Sequence, residues 1–143
     1  MFELQDASIG GTVAQLAPPK PDLAAYEDSI RLDPAAIVTE LRARLGGRLV
    51  AFLAGVTETR AVHEWASGKR QIRQPEVVNR LRLVYQLVEL IGSRDGDAVT
   101  QAWFQGLNPK LGDRSPARLL RDGDLAEVGP QVLSAARAFA AVG

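Results

Sequence analysis

Leu49-Val50-Ala51-Phe52-Leu53-Ala54-Gly55-Val56-Thr57-Glu58-Thr59-Arg60-Ala61-Val62-His63-Glu64-Trp65-Ala66-Ser67-Gly68 has the pattern of two short helices hinged at Gly55-Val56. Glycine at the hinge permits a positive φ and a close approach of the second helix to the first. Val56, the apolar residue after it, fixes the crossing. Ala51, Ala54 and Val62 are small or apolar on the inner faces, so two short helices can meet steeply, and Trp65 anchors the second one in the core. Thr57 or Thr59 is the expected cap of that second helix, which runs to about Ala66 before Ser67-Gly68-Lys69-Arg70 breaks it.

Helical signals extend outward on both sides. Upstream, Asp33-Pro34 is an N-cap followed by proline at the first helical position, opening a helix through Leu45 that stops at Gly46-Gly47. A shorter helix around Asp22 to Arg31 places Leu23, Tyr26 and Ile30 on one side. Residues 1–22, with Gly10-Gly11 and Pro18-Pro19-Lys20-Pro21, read as a tail or linker. Downstream, Pro75 starts a long helix to about Ile91. Val77, Val78, Leu81, Val84, Tyr85, Val88 and Ile91 form its stripe, widened by Leu83, Leu87 and Leu90. A helix this apolar is either central to the core or a seam between two copies of the chain. Residues 92–97 are expected to turn before a helix to Gln105, and Gly106 to Arg114 reads as an ordered loop. Ser115-Pro116 opens a short helix, Asp122-Gly123-Asp124 resets the chain, and a last helix turns Val132, Leu133, Ala136, Phe139 and Ala140 inward. No segment alternates with period two, so the expected fold is all-α.

The exposed polar residues on these helices suggest chemistry. The stretch from Leu49 to Gly68 resembles a helix-turn-helix motif, and in such motifs the N-terminal part of the second helix enters the DNA major groove. Thr57, Thr59, Arg60 and His63 are then the base readers, and Lys69, Arg70 and Arg73 in the following loop hold phosphates. The bland alternatives are that His63 is an ordinary surface histidine and that Arg60 pairs with Glu64 one turn on. Charge distribution agrees with a local basic face: residues 31–94 hold eleven Lys or Arg against six Asp or Glu, whereas the chain's net charge is zero.

The same sequence disfavours other classes. The 143 residues are 46% hydrophobic, which excludes a fully disordered chain. With no cysteine and one histidine, disulfides, thiolate metal sites and histidine relays have no basis. There is no Gly-rich phosphate loop and no nucleophile elbow, so the expectation is a non-enzyme with no catalytic residue, metal or cofactor. No apolar run approaches the about 20 residues of a membrane span, and Met1-Phe2-Glu3-Leu4-Gln5-Asp6 lacks the features of a secretory signal; a cytoplasmic protein is expected.

Leu53-Ala54-Gly55-Val56-Thr57 followed by Val62, Trp65 and Gly68-Lys69-Arg70 resembles the Xre or phage-repressor helix-turn-helix. Ala102 to Leu120, with Trp103, Asn108, Leu111-Gly112, Ser115-Pro116 and Leu119-Leu120, resembles the toxin-binding domain of Xre/MbcA/ParS-like antitoxins. Together the resemblances cover roughly residues 35–142 in the family's order of parts. They imply an N-terminal extension over 1–33 that is partly flexible, a helix-turn-helix region over 34–94, and a small helical toxin-binding domain over 95–143. The implied function is that of the antitoxin of a bacterial type II toxin–antitoxin pair. It would neutralise a RES-type or ADP-ribosyltransferase-like toxin that consumes NAD and repress its own operon on double-stranded operator DNA. Lys110, Arg114, Arg118 and Arg121 are the toxin contacts on this reading, as exposed cations facing acidic groups. A homodimer is expected because paired readers bind two half-sites, with the helix 75–91 as candidate seam. The alternative is a stand-alone helix-turn-helix regulator with no toxin.

Overall fold

The computed structural model describes residues 21–142, and the expected tail before them lies outside the described residues. The described chain is all-α. Its helices are α1 (Pro21–Arg31), α2 (Pro34–Leu45), α3 (Gly47–Ala54), α4 (Thr59–Ser67), α5 (Pro75–Gln105), α6 (Pro116–Asp122) and α7 (Leu125–Val142), with a 3-10 turn at Pro109–Leu111. Local chemistry sets several boundaries. The Asp33 carboxylate accepts the Ala36 amide at 2.8 Å and caps α2, and the Ser115 hydroxyl accepts the Arg118 amide at 3.1 Å and caps α6. In each case proline fills the next position, where its missing N–H costs nothing.

Helix α5 is the axis of the fold. Leu81, Val84, Leu87, Val88 and Ile91 are at most 1% exposed, and α1, α2 and α7 pack along it. This places the apolar stripe inside the chain's own core and corrects its candidacy as a dimer seam: the stripe is already covered. A helix this heavily buried dominates stability, since removing one such leucine to alanine costs about 2–5 kcal/mol. The core continues without interruption from Ile37 to Ala136, so the 34–94 and 95–143 segments share it.

Two expectations about helix ends change. Helix runs on through residues 92–95, and the break falls at Gly96 alone, whose φ of 85° and ψ of 179° fit glycine and not an L side chain. Beyond it Thr100 donates to the Gly96 carbonyl at 2.7 Å, restarting the helix. Around the kink Arg44 of α2 bonds both Glu89 and Asp97. Burial alone would lower the Arg44 pKa, but hydrogen bonds and charge from Glu89 and Asp97 outweigh it, and the value is raised.

Helix α1 meets α5 through its small residues. Leu23, Tyr26 and Ile30 are about half exposed, while Ala25 and Ser29 face α5. Small residues permit a close approach, and Arg82 of α5 locks it by donating to the carbonyls of Ser29 at 2.8 Å and Leu32 at 2.6 Å. In α7, Val132 and Ala136 are buried as expected, but Phe139 is 39% exposed, because it stands at the rim of a groove instead of over the core. Among the described residues no helix is long and apolar enough to cross a membrane.

Candidate nucleic-acid interface

Between α3 and α4 the chain reverses over four residues. Gly55 takes φ 82° and ψ 18°, the left-handed conformation the sequence called for, and its amide donates to the Phe52 carbonyl at 3.1 Å. The Val56 amide reaches back to the Ala51 carbonyl at 3.0 Å. On α4, Ala61, Val62 and Trp65 are buried, so the opposite side must face solvent; Thr57, Thr59, Arg60 and His63 are all exposed there. The expected threonine cap is not made. Glu58 is the N-cap residue and no side chain accepts the first-turn amides. Thr59 instead lies beside Gly47 at the start of α3.

Two arginines from distant parts of the chain hold this turn. Arg80 of α5 donates to the Leu53 carbonyl at 3.1 Å, and Arg121 of α6 donates to the Phe52 carbonyl at 2.8 Å. Both carbonyls lie in the last turn of α3, at the negative end of its dipole; the Phe52 carbonyl also accepts the Gly55 amide, and Arg121 takes its remaining lone pair. The Arg121 guanidinium also stacks over the Phe52 ring, 4.6 Å from its centroid. Burial lowers the Arg80 pKa; the Glu76 charge offsets this and the neighbouring Arg121 charge adds to it. Its Nε is buried without a hydrogen-bond partner.

The loop cations are organised by one carboxylate. Glu64 accepts from Arg70 at 2.7 and 3.0 Å and from Arg60 at 3.2 Å. Hydrogen bonds from Arg70 and then Arg60 hold its carboxyl below the usual carboxylate range. The expected Arg60–Glu64 pairing therefore exists, yet the Arg60 side chain remains 79% exposed, so it reaches solvent while tethered. Lys69, Arg70 and Arg73 are exposed around the Gly68 cap of α4. The structure thus brings six of the seven expected DNA contacts, all but Arg73, onto or next to α4, and leaves Arg73 exposed on the loop leading to α5.

The four expected toxin contacts separate. Lys110 is exposed in the 3-10 turn, beside an apolar groove of about 650 Å³ lined by Trp103, Leu107, Pro109, Phe139 and Val142. Arg114 is exposed but donates to the Leu111 carbonyl at 3.1 Å. Arg118 is exposed on α6 and pairs with Asp122 at 3.7 Å. Arg121 is a correction: it is half-buried and committed to Phe52, because α6 packs directly on α3. Arg48 and Phe52 were missed as site residues. They line the cavity of about 740 Å³ in front of the turn together with Thr57, Thr59, Arg60 and Arg121. A usable signal was present, since Arg48 stands in the first turn of α3, the first helix of the pair.

Among the described residues no three His, Cys, Asp or Glu side chains gather as a metal site. The chain matches no family model, no curated protein and no solved structure.

Proposed function

We propose that this chain is a helix-turn-helix DNA-binding regulator of the Xre/MbcA/ParS-like antitoxin kind, which represses its operon and neutralises a RES-type NAD-consuming toxin by direct contact. One observation carries the DNA half. An α4 whose inner face is buried presents threonines, arginine and histidine outward, beside a glycine turn of left-handed geometry. Arg60 suits a guanine edge, the threonines suit phosphates or a thymine methyl, and Lys69, Arg70 and Arg73 suit flanking phosphates. A homodimer in the cytoplasm, reading two half-sites about one helical turn apart, belongs to the same reading.

Support for a protein partner comes from the apolar groove. Leu107 is 75% exposed and Val142 83%, with Phe139 between them, next to the cationic Lys110. Contiguous exposed apolar residues rimmed by polar ones are how protein contact sites present themselves. Catalysis, metal and cofactor have no part in the proposal.

The test is co-expression with the neighbouring open reading frame, followed by pull-down and a cellular NAD assay. A stable complex that rescues growth and NAD level is expected. DNA binding with no partner and no rescue would overturn the antitoxin half and leave a stand-alone regulator.

A further inference from the structure

The cavity in front of the turn does not end at α4. Arg48 and Phe52 also line a second cavity of about 310 Å³, together with Ser115, the N-cap of α6, and Arg118 on that helix. The two cavities adjoin at Arg48 and Phe52, which line both, and make a groove bordered by residues of α3, α4 and α6. Arg121 stacks on the Phe52 ring at 4.6 Å, and the Arg118 guanidinium lies 5.7 Å from the same ring centroid. Arg60, Arg48 and Arg118 stand exposed along the groove. Glu58 is the carboxylate that lines it, and Arg118 pairs with Asp122 at 3.7 Å with both side chains more than half exposed. Such a pair holds little energy and yields readily to a stronger anion. Among the described residues Arg48 pairs with no carboxylate. The first turns of α3 and α4 carry no side-chain cap, so their amides add to the positive character of the same groove.

We propose that α6 is part of the DNA-binding surface: Arg118 and Arg48 clamp backbone phosphates of the strand that borders the major groove read by α4. This rests on the DNA-binding reading above and reassigns Arg118 from the toxin to the operator. The first helix of the pair crosses the phosphate backbone, so phosphates run past Arg48, and Arg118 stands where that path continues. Guanidinium is the suitable group, because its fork matches phosphate oxygens in two parallel hydrogen bonds. A positioning role follows for Phe52, whose ring holds the arginine stems level with the groove.

The test uses the full chain and the duplex that it selects from a random double-stranded library. Fluorescence anisotropy is measured across a salt series for wild type, Arg48→Gln, Arg118→Gln and the double variant. Each removed phosphate contact lowers the slope of log K against log salt by about 0.9, so the double variant loses about 1.8. The preferred sequence stays unchanged. Lys110→Gln, which borders the apolar groove instead, keeps the wild-type slope. Circular dichroism melting confirms that each variant is folded; a variant that melts early is replaced by Arg→Lys at the same site, which retains the slope if the charge is what binds. Wild-type slopes in the folded Arg48 and Arg118 variants overturn the clamp and leave the DNA reading intact. Failure of wild type to select or bind any duplex overturns both.

Discussion

At the C-terminal end of α3, Arg80 and Arg121 each finish on a main-chain carbonyl. Along its flank, Arg48 finishes in solvent and Arg118 in an exposed pair with Asp122, beside a shallow groove. The two regions carry the same residue type and lie on the same eight-residue helix or against it. They differ in what the guanidinium meets. Where a carbonyl at a helix C-terminus is within reach and solvent is partly excluded, arginine becomes a fastener, and its charge serves the fold. Where no such acceptor exists, the charge stays exposed. Counting basic residues in a segment cannot separate these uses, and proximity to a functional motif does not either, because Arg121 touches the turn itself.

That contrast is open to breakage. Arg80→Ala with Arg121→Ala should cost about 3 kcal/mol of stability, since hydrogen bonds from charged donors contribute about 1.5–3 kcal/mol each and this close pair is not fully additive. Thermal melting reads the loss as a fall of roughly 10 °C. Arg48→Gln and Arg118→Gln, by comparison, should stay within about 0.5 kcal/mol of wild type. Equal melting temperatures for all three variants would erase the distinction between fasteners and free charges.

The apolar groove offers a second contrast. Leu107→Asp with Phe139→Asp should weaken a protein partner about thirtyfold or more, as interface centres do when charged, with no change in DNA affinity. Titration of the co-expressed partner and of duplex DNA against the same variant tests both halves. Arg60→Ala should do the reverse, weakening the selected duplex by about tenfold and relaxing preference at one base pair, with partner binding intact. The smallest effect concerns Glu64. Its carboxyl is held low by Arg70 and Arg60, so the ion-pair contribution is present above the unfolded carboxylate pKa and fades as pH falls through the lower folded value. A carbon-13 NMR titration should place Glu64 below the chain's unpaired glutamates; a value at or above theirs would show that the tether is absent in solution.

Much of this architecture was legible in the sequence, for reasons that can be named. The Gly55 turn, the Asp33-Pro34 and Ser115-Pro116 starts and the buried Trp65 are local signals, each set by a residue and its near neighbours. Period also revealed α5, although its break moved from a six-residue turn to Gly96. What escaped depends on distance along the chain. Arg121 meets Phe52 across 69 positions, and Arg80 meets Leu53 across 27, so neither fastening could be seen by periodicity. The stripe of Leu23, Tyr26 and Ile30 did not tell which side of α1 meets α5, because close packing there selects the small Ala25 and Ser29. Phe139 was misplaced for a related reason: helical spacing puts it near the inner face, and only the path of the Gly106–Leu111 segment decides whether anything covers it.

We propose above all that the outer face of α4 reads duplex DNA. Selection from a random double-stranded library with the full chain, sequenced over successive rounds, tests it most directly. The account predicts enrichment of a defined motif that Arg60→Ala broadens at one position. A wild-type pool that remains as random as its input would contradict it.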